Sequence, residues 1–403
     1  MSSVAKCARD TIVHDLTPKQ EALLRDFWLR LDATTLPDHE NHLDQPLPKH
    51  LRKKLEEWSP QIVRKSLWTM AKHDDPDTLI VRFLRADHWN VGKALNTMLE
   101  TVFWRLDTGL EDSIIGKGDS GFMQLTKNDD ANSKKLGREL MHQLHSGKSF
   151  SHGTDDEGRP LIYIRPRYHN ASEQSREALE KFMIYQSETY RMLLRSPHTN
   201  VTVIFDLTGF SPVHNMDWNA LKIMASGMAS RYPDSIGQLY VFRPPWIAAS
   251  IWRVVKGWLP AEVASKVRFV GSPEELSKFL PLKHVLKDIG GEEDWSFEYE
   301  GPSEAELVGD IDDVERDRLL AHRDELVAQY ENLTHEWADQ EGETAHETFQ
   351  KRSSLASLLR DNYWKLDPYV RARSVYDRMG VIGDDGSYNP LASADEVFED
   401  CLE

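Results

Sequence analysis

Two rhythms of apolar residues run along the chain. Between Val201 and Gly271, the short runs VTVIF, LYVF and VRFV alternate with stretches whose apolar residues recur every three or four positions. The runs Val201–Phe205, Leu239–Phe242 and Val267–Val270 predict strands. Their unbroken apolar character suits strands covered on both faces. Helical spacing between them predicts βαβ units and a parallel sheet. Trp246–Leu259 is the unusual element. Ile247, Ile251, Val254, Val255 and Trp258 follow one helical stripe, and Ala248, Trp252, Val255 and Leu259 follow another. Apolar positions therefore cover most of the circumference, broken by Arg253 and Lys256. Such a helix needs apolar partners on more than one side. It is either an interior core helix or one with a face over an apolar cavity and the other toward a membrane.

The rest of the chain reads mostly as helices. Leu16–Leu31 has a buried stripe of Leu23, Leu24, Phe27, Trp28 and Leu31, with Thr17 as N-cap, Pro18 in the first turn and Gln20 completing a capping box. Asp32–Pro48 reads as a linker. Helices are expected near His50–Trp58, Ile62–Lys72 and from Leu79, and Asn90 caps another over Val91–Leu106. Gly109–Leu136 is loop-like. After the Gly158-Arg159-Pro160 turn, Leu161–Ile164 predicts a strand, with Arg165 and Arg167 on the surface. Arg176–Leu194 is an amphipathic helix. Glu292–Asp317 is an acidic connector. Leu319–Gln340 and Phe349–Met379 are polar helical patterns, the second divided at Asp367-Pro368. There is no repeat of fixed period.

Composition narrows the function classes. The 403 residues are 40% hydrophobic and 29% charged, with net charge −17, ordinary values for a globular chain apart from the acidity. That charge argues against nucleic acid as a partner and against bulk attraction to acidic membranes. Locally the balance reverses: Arg243–Lys287 carries eight Lys/Arg and three Glu, either ordinary surface charge or a face that meets an anionic surface or head group. No run reaches the roughly 18 apolar residues of a membrane span, and the N-terminus lacks a signal-peptide core. Cys7 and Cys401 are too few for a disulfide framework or a cysteine zinc site. A reducing, cytoplasmic location is expected.

Catalytic patterns are weak. There is no G-x-S-x-G elbow and no H-E-x-x-H. His142 and His145 lack a companion ligand, so no metal is expected. Gly116, Gly118 and Gly121 match G-x-G-x-x-G without the strand and helix a dinucleotide site requires. Gly147-Lys148-Ser149 resembles the end of a phosphate loop, but His142 stands where the upstream glycine belongs. Asp206 ends a strand, and capping the next turn is its simplest role. An enzyme is not expected.

The order VIFDLTG, RYPDSIGQLYVFRPPW, VVKGWL, ASKVRFVG resembles the CRAL-TRIO lipid-binding domain, most of all the fungal phosphatidylinositol transfer protein branch. DPDTLIVRFLRADHWNVGKAL…FWR resembles that family's N-terminal helical module, and DDEGRPLIYIRPR its first strand. The resemblance covers about Asp74 to Gly291. It implies an α/β fold: a mostly parallel sheet flanked by helices and enclosing an apolar lipid cavity, with an N-terminal helical module and a C-terminal helical extension. The expected segments are 1–48, helix and linker; 49–136, helical module; 137–291, lipid-binding domain; 292–318, acidic connector; and 319–403, extension.

The implied function is extraction and exchange of one lipid between membranes through a gated cavity, the lipid being phosphatidylinositol or another phospholipid. The bound group is then a lipid and no cofactor is implied. The implied head-group residues are Asp234 in YPDS and Lys266 in ASKV. Position and strand alternation add a cavity wall of Val201, Val203, Phe205, Leu221, Met224, Met228, Leu239, Val241, Trp252, Val255, Val267 and Phe269. The gate is Trp246, Ile247, Ile251 and Trp258, with Pro244-Pro245, Gly257 and Pro260 as hinge points. Some positions depart from the family pattern: Asp87 replaces a cation, and Val201, Val203 and Val263 replace polar residues. These changes favour a neutral lipid, sterol-, squalene- or isoprenoid-like, as the alternative. A further alternative is a lipid-presenting protein whose C-terminal helices bind a lipid-metabolising enzyme.

Overall fold

The computed structural model describes residues 16–35, 46–303, 306–307 and 312–392. Five helices come first: α1 (Pro18–Thr35), α2 (Lys49–Trp58), α3 (Pro60–Ala71), α4 (Pro76–Ala86) and α5 (Val91–Thr108). Helices α6 (Gly118–Thr126) and α7 (Ala131–His145) lead into strands β1 (Ser149–Thr154) and β2 (Pro160–Ile164). Then follow α8 (Arg176–Arg191), β3 (Val201–Asp206), α9 (Trp218–Lys222), a wide turn over Ile223–Met228, α10 (Ala229–Arg231) and β4 (Ile236–Phe242). The chain continues through α11 (Ala248–Val255), α12 (Ala261–Ser265), β5 (Val267–Val270) and α13 (Pro273–Leu276). Helices α14 (Asp313–Asp339), α15 (Gly342–Val370) and α16 (Val375–Arg378) complete it.

The chain forms two compact units, Met1–Leu110 with Ile311–Tyr369, and Glu111–Asp310 with Val370–Glu403. The segment expected as a separate extension over 319–403 is thus shared between them. The physical reason lies in the core of the first unit. Trp28 of α1 stacks on Trp68 of α3 at 6.2 Å, and both pack on Tyr330 of α14 at 5.8 Å. Beneath them Arg352 of α15 grips Asp77 of α4 with two hydrogen bonds of 2.7 and 2.9 Å, and Trp28 Nε1 donates to the same carboxylate at 2.7 Å. The apolar stripes of α14 and α15 would have no cover without the N-terminal helices. The capping box reads out as expected, Thr17 N–H donating to Gln20 Oε1 at 3.0 Å and Gln20 N–H to Thr17 Oγ1 at 3.3 Å. Asn90 caps α5 through the Lys93 N–H.

The second unit holds a five-stranded sheet in the order β1-β2-β3-β4-β5, with β1 antiparallel and the rest parallel. Four sequence readings change across the two units. Gly109–Leu136 is helical rather than loop-like: Asp130 caps α7 by accepting from the Ser133 N–H, and Gly137 lets α7 approach so closely that a Cβ there would sit 2.6 Å from the Thr126 nitrogen. The edge strand β1, SFSHGT, has too little apolar alternation to be read from sequence. Arg165 is buried rather than on the surface, and the Arg167 guanidinium grips the buried Asp206. Pro368 lies inside α15, which runs to Val370 instead of breaking at Asp367-Pro368; the missing N–H falls in the last turn, and the helix ends two residues beyond it. Asp206 does cap its turn, accepting from the Thr208 N–H at 2.9 Å. The linker expected over 32–48 lies largely outside the described residues, as do parts of the acidic connector, Cys7 and Cys401.

Strand alternation divides the sheet into two unlike faces. On one face Phe150, Leu161, Tyr163, Ile204, Tyr240, Phe242 and Val270 join Leu276, Leu280, Val285, Leu286 and Ile289 in a solid core. The residues between them point to the other face, which is hollow.

Candidate lipid cavity

Two rows of side chains cross the sheet on its hollow face. Ile162, Val203, Leu239 and Val267 are paired neighbours on β2 to β5, and Ile164, Phe205, Val241 and Phe269 form the next row. All eight line one cavity of about 400 Å³, within the range of about 300–1,000 Å³ for small-molecule sites. Three helical segments cover it. Helix α8 supplies Leu179, Phe182, Met183, Gln186 and Tyr190; the α9 segment supplies Ala220, Leu221, Met224 and Ala225; α11 and its C-terminal turn supply Ala248, Ile251, Trp252, Val255 and Leu259.

Most of the expected wall lies on this cavity: Val201, Val203, Phe205, Leu221, Met224, Leu239, Val241, Trp252, Val255, Val267 and Phe269. The Met228 side chain lies outside the described residues. Asp234 also lines the cavity, and Lys266 does not. Lys266 Nζ donates to Asp234 Oδ1 at 3.1 Å, to the Ile236 carbonyl at 2.8 Å and to Glu262 Oε1 at 2.5 Å. Its three N–H groups are accounted for by the protein, which leaves none for a head group. Of the gate residues, Ile251 faces the cavity, whereas Trp246, Ile247 and Trp258 do not. Trp246 is 90% exposed. Trp258 meets Trp218 edge-on at 6.0 Å, tying the end of α11 to α9. Helix α11 thus has one face on the hollow and Arg253, Val254 and Lys256 toward solvent, so it is not an interior core helix. Val263 joins Val201 and Val203 on the wall.

The strand and helix pattern missed a polar end to the cavity. Lys148, just before β1, is buried and places Nζ 3.1 Å from His169 Nδ1; it also donates to Gln143 of α7. His169 Nε2 lies 3.1 Å from Asp217 Oδ2, and Asp217 Oδ1 caps α9 by accepting from the Asn219 and Ala220 N–H groups. Because an ammonium donates, His169 Nδ1 accepts and its Nε2–H donates to Asp217. Burial pulls the Lys148 ammonium down to about 8. Burial, followed by the Lys148 charge, lowers His169 as well. For Asp217, burial opposes ionisation, but the Ala220 N–H and His169 outweigh it and lower the carboxyl. Asn215 holds the adjoining loop by donating to the His169 carbonyl at 2.9 Å. Residues 148, 169 and 217 are too far apart in sequence to have been grouped. Lys148 drew notice only within a failed phosphate-loop pattern.

Neither histidine of the 142/145 pair enters a metal cluster among the described residues. His142 meets Glu173 at 3.1 Å, and His145 bonds the Met141 carbonyl and lies against Tyr299. No helix among the described residues is long and apolar enough to cross a membrane.

These observations define a class, an α/β domain with one packed sheet face and one face built around an apolar compartment. Known proteins make the class specific. The CRAL/TRIO domain model matches residues 144–291, and the model of the CRAL/TRIO N-terminal domain matches residues 48–100. Over 339 residues the chain is 38% identical to a CRAL-TRIO domain-containing protein of Schizosaccharomyces pombe, spanning 84% of this chain and 72% of that one. It is 30% identical over 362 residues to the phosphatidylinositol transfer protein CSR1 of Eremothecium gossypii, spanning 87% and 80%. It is 24% identical over 265 residues to the phosphatidylinositol transfer protein PDR17 of Saccharomyces cerevisiae, spanning 64% and 67%. The chain belongs to the CRAL-TRIO family.

Proposed function

We propose that this protein carries a single lipid in the cavity of its second unit and exchanges it between membranes, the lipid being phosphatidylinositol or another phospholipid. The observation that carries the reading is the contrast between the two sheet faces: the same strands pack a solid core on one side and leave an apolar hollow on the other. Exposing lipid tails to water costs about 0.8 kcal/mol per CH₂, on the order of 25 kcal/mol for roughly 30 methylenes. An apolar hollow removes most of that penalty, because bilayer and cavity are both apolar. Helix α11 is the gate in this reading. Pro244-Pro245 precede it, Gly257 and Pro260 follow it, and exposed Trp246 is suited to the membrane interface.

The relatives named as phosphatidylinositol transfer proteins support exchange as the activity. In this reading the protein works in the cytoplasm and touches membranes transiently. One observation favours a second ligand class: Val201, Val203 and Val263 make the wall apolar where polar groups are expected for phosphatidylinositol, which suits a neutral lipid. Transfer of labelled phosphatidylinositol and of labelled sterol between vesicles separates the two. Exchange of neither lipid, by protein shown to be folded, would overturn the reading.

A presenting role toward a lipid-metabolising enzyme keeps the same cavity. Its test is not deletion of residues 319–403, since α14 and α15 build the core of the first unit. Surface substitutions on α14 and α15 that leave transfer intact and abolish activity in cells would support it.

A further inference from the structure

The hollow face has polar groups at both ends, and the two ends are built differently. Asp234 and Lys266 sit where β4 and β5 begin, Val201 N–H bonding to Ser235 O and Leu239 N–H to Lys266 O. Lys148, His169 and Asp217 sit at the opposite ends of the parallel strands. Arg165 N–H, just past β2, bonds to the Lys148 carbonyl at 2.7 Å, and Asp217 follows β3. The length of β3 separates the two ends, roughly 17 Å at about 3.3 Å per residue.

Among the described residues, three Lys and Arg side chains line the cavity: Lys148, Arg165 and Arg191. Arg165 pairs with Asp288 at 2.7 Å, and Arg191 lies 3.8 Å from Glu188. Lys148 differs: its hydrogen bonds go to the amide oxygen of Gln143 and the imidazole of His169. Among the described residues it forms no ion pair with a carboxylate within 4.0 Å. Its Nζ lies 5.2 Å from the Phe182 ring centre. Buried charges are ordinarily paired, and two neutral acceptors use two of three N–H groups. In open α/β sheets, ligands bind at the carboxyl ends of the strands, which is where Lys148 stands.

We propose that Lys148 receives a phosphoryl or carboxylate oxygen of the carried lipid, with His169 and Gln143 positioning the ammonium and the tails running toward the Asp234 end. This rests on the lipid-carrier reading. The same chemistry would accept a free inorganic phosphate, so the source must be told apart by experiment.

The test uses the full chain and the variants Lys148→Met and Lys148→Arg. Each is incubated with phosphatidylcholine vesicles containing equal amounts of phosphatidylinositol and diacylglycerol, re-isolated, and its lipids quantified. Diacylglycerol has the same tails and no phosphate. The expected result is at least a tenfold fall in the phospholipid-to-diacylglycerol ratio for Lys148→Met, with Lys148→Arg recovering part of it. Retained lipid with an unchanged ratio in both variants would overturn the proposal and leave the carrier reading standing. Absence of lipid from the wild-type protein would overturn both. In a second arm, inorganic phosphate should leave the melting temperature of lipid-free protein unchanged. A Lys148-dependent rise would assign the site to a free phosphate and overturn the head-group assignment.

Discussion

Lys266 reaches from the end of α12 to Asp234 and places its ammonium 3.1 Å from the Oδ1 of that carboxylate. Asp234 lines the cavity, and the lysine stands behind it. Lys266 therefore holds an anion in place and presents no free cation to the ligand. Lys266→Ala is expected to destabilise the second unit by about 1–3 kcal/mol, the usual loss for a partner of a charged hydrogen bond. It should lower retention of all lipids alike. Urea unfolding together with lipid quantification checks this; selective loss of anionic lipid would show that Lys266 contacts the head group.

Val203 and Leu239 are paired at the centre of the wall. A tryptophan introduced at either position into a solid core would cost about 1–3 kcal/mol through overpacking. Pointed into a hollow, it should cost less and displace ligand instead. Leu239→Trp is expected to lose most bound lipid while its denaturation midpoint stays close to wild type. A large loss of stability with normal lipid content would mean the space is already filled.

Trp246 projects into solvent at the start of the proposed gate. Trp246→Ala should slow exchange between vesicles by roughly tenfold, equivalent to ~1.4 kcal/mol, and leave the content of bound lipid unchanged. The two readouts are the transfer rate and the mass of lipid per protein. An unchanged rate would remove this tryptophan from membrane contact.

Lys148 gives a pH signature. Burial lowers its ammonium from 10.5 to about 8, against the opposing fields of Glu173 and Asp217. Gln143 of α7, His169, Asp217 and the Phe182 ring face it. Between about pH 8 and 10.5 the unfolded chain holds a proton there that the folded chain has released. Stability of the lipid-free protein from this group therefore rises with pH through that window, by on the order of 3 kcal/mol. Lys148→Met should flatten that rise and be no less stable than wild type near pH 7. Denaturation midpoints across the window read it directly; equal slopes in both proteins would contradict it.

The first unit makes a separate prediction. Arg352 and Asp77 are buried together, and removing one partner strands the other charge. Arg352→Leu should destabilise that unit by about 3–5 kcal/mol, measured by denaturation of the full chain. A loss under 1 kcal/mol would mean the pair adds little to the packing of α14 and α15.

The wall was legible because strand alternation is a strict period of two: once Val201 is assigned to one face, Val203 and Phe205 must follow. The stripe of α8, with Leu179, Phe182 and Tyr190, was legible as apolar. Whether it faced a hollow or a core was not, because the same residue types build both. Helices α6 and α7 were hidden by glycines, and Gly137 serves their close approach. The Lys148 end was hidden because three polar residues from three connections meet only when the sheet assembles. The placement of α14 and α15 was hidden because an amphipathic stripe does not name its partner.

The most direct test of the central claim is mass spectrometry of lipids extracted from the purified 403-residue chain, compared with Leu239→Trp. The account predicts close to one lipid per wild-type chain and a marked deficit in the variant. Wild-type protein that is folded, free of lipid and unable to take any up from vesicles would contradict it.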